Sequence, residues 1–435
     1  MIRHLIGKLS LGAGRAIRKL RPYYISVIFS AIALRRFMRR RAQIVPAKGN
    51  SSPTRILVIR LDAIGDLVMS TLVFRELKLR FPESEITAVV QSQCRPILET
   101  NPYVDRLLSP PKIHRSRLLH RHRQDLAMLQ LYWKHLRGQT FDLVLNPRFD
   151  GDLYSADALI KLVDCPHTVK YEDNFVRGFA RYIHRLAFRW ADQVPTAGPR
   201  HEVLSSIAII EHLTGQKCTS EPELFLTPDD LAYSRKILAK APAGSTIVGV
   251  GFGAQAMRRA WPLERWAEVI RALSLRRNIF PLLICSNSEV AVGRRLQGML
   301  SIDSHLMSGA NLRQVGATIQ ACDLFVGPDS GLAHMAAAVK CPVVVVSPHP
   351  LSGDPNHGNS PIRFGPYTER ARVIQPLQGR PPCVTGCDAV TPHCILQIQP
   401  GQIIEACETL LNFEQNHLSD KLELIGQPGD GQRTE

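Results

Sequence analysis

The stretch DLFVGPDSGLAHMAAAVKCPVVVVSP, Asp323 to Pro348, constrains the fold more than any other part of the chain. It reads as a buried strand, a sharp polar turn, a short helix of small residues and a second buried strand. Apolar strands alternating with helices imply a parallel sheet covered on both faces. The turn sets Gly327, Pro328, Asp329, Ser330 and Gly331 ahead of a helix that carries His334. A helix N-terminus exposes unpaired N–H groups and the positive end of the helix dipole, and glycine lets the backbone approach an anion closely. The expectation is a phosphate cradle in a nucleotide or sugar-nucleotide site. The competing reading is a plain strand-to-helix turn, since many α/β proteins have a glycine after a strand and bind nothing there.

The same alternation recurs along the chain. Strands are expected at 55–61, 86–90 and 141–147, with a helix from about Asp66 to Arg80 between the first two. Residues 110–135, rich in His, Arg and Leu, suit a basic helical excursion, and the irregular, aromatic stretch 165–200 suits an acceptor cleft. Around 222–242 the pattern resets through a linker and helix. A second α/β unit follows with TIVGVGFGA (246–254), a helix at 263–275, FPLLICSN (280–287) and VVVVSP (343–348). A helix at 400–413 closes this unit ahead of a polar tail expected to lack order. The expected divisions are therefore 1–50, 54–225, 240–412 and 414–435. Two α/β halves of similar size suggest a ligand held in the cleft between them, at the carboxyl ends of the strands.

The net charge of +16 invites a nucleic-acid partner, but its distribution argues against one. Residues 1–50 hold 12 Lys/Arg and no acidic residue, leaving 42 basic against 38 acidic residues beyond them. The basicity belongs to the extension. There, PYYISVIFSAIAL (22–34) lies between two basic clusters and is too short for the roughly 20 residues that span a bilayer. Its composition suits a segment lying in the interface of an anionic membrane. A signal peptide and a helix packed on the body are the competing readings, although RRFMRRR is a poor cleavage site. Seven of the ten cysteines are scattered, as in a protein of the reducing cytoplasm. Cys383, Cys387 and Cys394 cluster as C-x3-C-x6-C beside His393. Three thiols and an imidazole can bind zinc, yet the spacing is not a strong zinc pattern. A reduced structural cluster is expected there, with no metal assigned and the question left open.

Three constellations carry chemistry. In RLDAIGDLVMST (60–71), Gly65 permits a tight turn and Asp66 begins a helix, either as an N-cap or as a general base at the cleft rim. Asp62 is a second carboxylate on the same turn, and the residues alone do not separate the two. In GFGAQAMRRAWPLERW (251–266), Arg258 and Arg259 follow a strand and can neutralise a diphosphate, or form a solvated surface pair. In the opening turn, Ser330 and Gly331 supply N–H groups, and Asp329 and His334 supply polar side chains. As structural residues these last two would be a strut and a packed histidine. Glu289, just after FPLLICSNS, stands where a carboxylate can hold ribose hydroxyls.

IRLDAIGDLVMST, RRAWPLERWAEV and FVGPDSGLAHMAAAVKCPVV, in this order and at these distances, resemble glycosyltransferase family 9, the family of the bacterial lipopolysaccharide heptosyltransferases. RFGPY (363–367) and CVTGCDAVTPHCILQI (383–398) are similar to its C-terminal end, and the likeness covers roughly 54–412. The resemblance implies an α/β GT-B fold, two Rossmann-like domains facing across a cleft, here with a basic amphipathic N-terminal extension. It implies an inverting, metal-independent enzyme without a cofactor. Such an enzyme moves a sugar, often heptose from ADP-heptose, to a lipopolysaccharide-core or related cell-surface glycan. By match to the motifs, Asp66 would be the base, with Asp62 and Gly65 in support. Arg258, Arg259, Glu289, Asp329, Ser330, Gly331 and His334 would bind the donor. Arg259 stands where the family usually has a lysine, which keeps the charge but replaces a compact ammonium with a wide fork. The loop 349–362 is longer than usual, and a role for its His357 is open. The expected partners are a nucleotide-sugar donor, a lipid-linked glycan acceptor and a membrane surface met by residues 1–50, with no nucleic acid. The expected location is cytoplasmic, peripheral on the inner membrane. A nucleotide-sugar epimerase or hydrolase and a non-catalytic membrane-associated binding protein are the alternatives.

Overall fold

The computed structural model describes residues 52–426 apart from 113–119, 150–151, 153, 173–187, 189–190, 196–197, 255, 382 and 387–388. The extension of residues 1–50, with its expected membrane contact, and Cys387 lie outside the described residues. No helix among the described residues is long and apolar enough to cross a membrane.

Two six-stranded parallel sheets organise the described residues. The first holds β1 (Arg55–Arg60), β2 (Glu85–Val90), β3 (Arg106–Leu108), β4 (Leu143–Asn146), β5 (His167–Tyr171) and β6 (Asp192–Val194), in the order β3-β2-β1-β4-β5-β6. The second holds β7 (Thr246–Gly251), β8 (Ile279–Ile284), β9 (His305–Met307), β10 (Leu324–Pro328), β11 (Val343–Val346) and β12 (Ala371–Ile374), in the order β12-β11-β10-β7-β8-β9. The central strands are buried along nearly their whole length, as a sheet covered on both faces requires. Each sheet grows outward on one side, returns to its centre and grows outward on the other. The reversals fall between β1 and β4 and between β7 and β10. A crevice opens at the carboxyl ends of the strands where such a reversal occurs. The Asp62–Asp66 turn follows β1 and the Asp329–Gly331 turn follows β10, so both candidate turns sit at switch points.

Several boundaries differ from the sequence expectation. The helix expected over 66–80 is two helices, Ile64–Met69 and Thr71–Arg80, divided at Ser70, whose hydroxyl donates to the Asp66 carbonyl at 2.8 Å. The stretch 165–200 contains β5 and β6, short strands whose polar residues mask the pattern. The helix expected within 222–242 is present as Pro228–Leu238, capped reciprocally by Thr227 and Asp230. Its Ser234 hydroxyl donates to the Ala317 carbonyl at 3.0 Å, which fastens it to the Leu312–Gln320 helix of the second half. The last helix runs Pro400–Gly426, past the expected start of the tail at Glu414, through a stretch free of proline and glycine breakers. Its Ile403, Cys407 and Leu410 join Trp266 and Ile270 on one face of the second sheet.

A candidate active site between two switch points

After β1 the chain turns through Leu61–Ala63 into the Ile64–Met69 helix. Asp66 is the third residue of this helix rather than its first, and its carboxylate accepts the Ala63 N–H at 3.2 Å. A quarter of its side chain stays exposed, and Arg60 Nη2 lies 3.9 Å from its Oδ1. Asp62 is placed differently. It is 2% exposed, lies 3.2 Å from Arg60 Nε and pairs with Arg148, which follows β4 across the switch point. Two guanidinium groups enclose it, whereas Asp66 keeps a solvent-facing edge. A general base has to reach the hydroxyl it deprotonates, so the geometry favours Asp66 over Asp62 for that role.

Arg60, 1% exposed, is shared further, with Glu202 at 3.5 Å. Glu202 in turn receives a 2.7 Å hydrogen bond from Arg363 Nη2. Arg363 belongs to the second half of the chain, so this buried network ties the two halves together. His201, next to Glu202, adds a second tie. Its Nδ1 accepts the Val203 N–H at 3.1 Å, which leaves the proton on Nε2 to meet the Gly365 carbonyl at 2.9 Å. Burial lowers its pKa, consistent with that neutral tautomer.

On the opposite side, β7 leads to Gly253 and to the single turn Met257–Arg259. A Cβ on Gly253 would lie 2.0 Å from Glu289 Oε1, so the bare glycine makes room for that carboxylate. Glu289 also accepts the Ser286 N–H at 3.0 Å and its hydroxyl at 2.6 Å, which places it as a capping acid at the edge of β8. Arg259 donates to the Asp329 carbonyl at 2.9 Å and to Asn359 Oδ1 at 2.7 Å, with Asp329 Oδ2 at 3.5 Å. Burial pushes the Asp329 carboxyl up, while Arg259 and Arg258 pull it down. Asp329 therefore acts as a strut that aims Arg259. Ser330 is the N-cap of the Gly331–Ala338 helix, and its side chain makes no capping bond.

The two turns touch. A Cβ on Gly65 would lie 2.5 Å from His334 Cδ2, and one on Gly331 would lie 2.7 Å from Ile64 Cγ2. Glycine at both positions is what lets the helices meet. His334, 7% exposed, is pressed between them, and its Nδ1 has no hydrogen-bond partner among the described residues. Burial pushes its pKa down to about 3, with His201 and Arg259 adding to the shift, so the ring is neutral near pH 7. The cavity bordered by Asp329, His334, Ser347 and Pro366 measures about 10 Å³. That is room for about one water, and its lining comes entirely from the second half of the chain.

The cleft thus gathers Asp66, Gly65, Arg259, Asp329, Ser330, Gly331 and His334, with Arg258 alongside, Glu289 at the rim and Asp62 buried behind Arg60. Sequence reasoning missed Arg60, Arg148, Glu202, Arg363 and Asn359. Arg60 did carry a signal, a charge ending an apolar strand. Residues 129–389 match glycosyltransferase family 9 (heptosyltransferase). Lipopolysaccharide heptosyltransferase 2 of Salmonella typhimurium is 26% identical over 379 residues, covering 83% of this chain and 99% of that protein. Among solved structures, E. coli ADP-heptose lps heptosyltransferase II aligns with a TM-score of 0.61 at 21% identity, over 83% of this chain and 99% of that one. E. coli heptosyltransferase WaaC with ADP aligns with a TM-score of 0.58 at 16% identity, over 82% of this chain and 99% of that one. These likenesses show the GT-B fold. The family match takes in more than half of the chain, including the Asp329–Gly331 turn though not the Asp62–Asp66 turn, and the protein belongs to glycosyltransferase family 9.

Proposed function

We propose that this glycosyltransferase moves a heptose from ADP-heptose to a lipid-linked lipopolysaccharide-core acceptor, with inversion and without a metal at the diphosphate. The observation that carries the reading is the juxtaposition of a partly exposed carboxylate, Asp66, with an arginine-flanked helix N-terminus across one cleft. Asp66 takes the proton of an acceptor hydroxyl as that oxygen bonds to the anomeric carbon. The bond from that carbon to the diphosphate oxygen breaks, and its electron pair leaves with the diphosphate. Attack opposite the leaving group inverts the centre. Arg259, Arg258 and the Ser330 and Gly331 amides stabilise the charge that develops on the leaving group. Glu289 holds the ribose hydroxyls, and the neutral His334 supplies a hydrogen bond without adding charge. The names of the relatives support heptose as the sugar and lipopolysaccharide as the acceptor class, and the ADP-heptose enzyme and the ADP complex among the similar structures support the nucleotide. Residues 1–50 would hold the enzyme on the membrane that carries the acceptor.

Transfer assayed with ADP-heptose and a heptose-deficient core acceptor tests this. Asp66→Asn should lower kcat by about 10²- to 10⁴-fold while ADP affinity stays within about threefold, and added Mg²⁺ should not raise turnover. Near-normal kcat in Asp66→Asn would remove Asp66 as the base.

A further inference from the structure

Cys383, His393 and Cys394 converge on one point of the second half. One ligand atom from each, two thiol sulfurs and an imidazole nitrogen, lies within 4.8 Å of the other two. Both thiols are buried, and His393 is half-buried beside them. His393 Nδ1 is 3.3 Å from Cys394 Sγ, and the Arg380 N–H points at the same sulfur at 3.4 Å. The other buried thiols are placed differently. Cys94 donates to the Asp62 carbonyl, Cys165 to that of His167 and Cys322 to that of Thr318. Cys394 has a similar, longer contact of 4.0 Å to the Arg380 carbonyl, but it also meets a second thiol and an imidazole.

From this convergence we propose that Cys383, His393 and Cys394 bind a borderline-soft divalent cation, zinc in the first place, at a structural site apart from the sugar-transfer cleft. Bond lengths of about 2.3 Å to sulfur and about 2.1 Å to nitrogen at tetrahedral angles put such ligand atoms about 3.5–3.8 Å apart. Small side-chain rotations bring the observed atoms to that spacing. Binding releases the thiol protons and leaves a cation held by two thiolates and a neutral imidazole. The backbone N–H of Arg380 then stabilises the Cys394 thiolate, as second-shell donors do. The remaining coordination position is left for a further ligand.

A cation here would have a defined mechanical effect. The Thr385 carbonyl accepts the Asp354 N–H at 2.6 Å, and Ser352 Oγ accepts the Gly379 N–H at 3.2 Å. Gly386 lies against the His357 ring, where a Cβ would come within 2.3 Å. His357 Nδ1 accepts the Asn359 N–H at 3.1 Å, and Asn359 holds Arg259. Closing the crossing of residues 383 and 394 with metal fixes the wall on which the long 349–359 loop rests.

The experiment measures metal in the full-length protein purified under reducing conditions. About one zinc per chain is expected, released by a thiol-modifying reagent to a chromophoric chelator. Replacement by Co²⁺ should produce thiolate-to-metal charge-transfer absorption and intense tetrahedral d–d bands. Cys383→Ser and Cys394→Ser should each lose most of the bound metal, while Cys218→Ser keeps it. If those variants fail to fold, the cobalt spectrum of the unaltered protein still decides. Protein that takes up no zinc from a buffered zinc solution would overturn the proposal. So would a cobalt spectrum without thiolate bands, a Cys383–Cys394 disulfide in peptide mapping, or full metal content in both variants.

Discussion

The two turns that face each other across the cleft are built by opposite means. The turn after β1 is set by charge: Arg60 is buried among Asp62, Asp66 and Glu202, and Arg363 completes the network from the other half. The turn after β10 is set by backbone and small residues, with Gly331 at a helix start and Arg259 aimed by a main-chain carbonyl. Buried charges packed against opposite charges hold a geometry stiffly, because moving one strands the rest in a medium that solvates them poorly. A helix end that starts with a glycine carries fewer such ties, and its backbone can shift at less cost. The Asp66 side is therefore the fixed wall of the site and the Gly331 side the adaptable one.

The sharpest way to break this comparison is to remove the arginine at the centre of the fixed wall. Arg60→Met leaves Asp62 and Glu202 buried with a partner missing, which should cost about 3–5 kcal/mol of folding stability. Denaturant unfolding followed by fluorescence measures it. A loss below about 1 kcal/mol would mean that Arg148 and Arg363 compensate the carboxylates without Arg60.

Next in size is the arginine of the adaptable side. Arg259→Ala removes charged hydrogen bonds to Asp329 and Asn359, and ADP binding measured by calorimetry should weaken by about 10- to 100-fold. Arg259→Lys restores the charge but not the fork, so it should recover only part of that loss. Full recovery would show that charge alone matters at this position.

How much of this was legible in the sequence depended on the range of the interaction. The turns at Asp66 and at Gly327–Gly331 stood out because their chemistry is local: a strand, a glycine, a polar residue and a helix within a dozen positions. The buried network did not, because Glu202 and Arg363 meet from 161 positions apart and no local pattern marks a glutamate as a cross-domain tie. β5 stayed hidden because its Lys170 is satisfied by a 2.7 Å bond to Asp157, a compensation visible only in three dimensions. The cysteine cluster fails a spacing test yet passes a distance test, because the turn at Arg380–Cys383 and the crossing at Cys394 bring the ligand atoms together.

His334 supplies a pH test of the contact between the two walls. Its folded pKa is about 3, below the ordinary histidine value of 6.5, so the unfolded chain binds a proton that the folded one refuses between those limits. The histidine's share of stability is complete above pH 6.5 and falls as the pH drops toward 3. At pH 5 the difference from pH 7 should be about 2 kcal/mol. Unfolding curves for the unaltered protein and His334→Gln at both pH values measure it. Equal losses in the two proteins would place the acid sensitivity elsewhere, with the buried His349, whose pKa is lowered to about 4, the next group to test.

The smallest change tests whether the walls must touch for transfer. In Gly65→Ala the new methyl would sit 2.5 Å from the His334 ring, closer than any packed pair of carbons, so either the ring rotates or the helices stay apart. Arg60 holds the first wall through Asp62 and Glu202, and more loosely through Asp66, so the displacement is expected on the Gly331–Ala338 side. On the proposed mechanism donor binding does not use the contact, and ADP affinity should stay within about twofold. Transfer needs Asp66 and the donor brought together, and a misplacement approaching 1 Å lowers kcat steeply, so a drop of about 10-fold or more is expected. Should kcat hold while ADP affinity falls, the touching arrangement would be a resting state that competes with the donor, and the adaptable wall would act as a gate rather than as half of the assembled site.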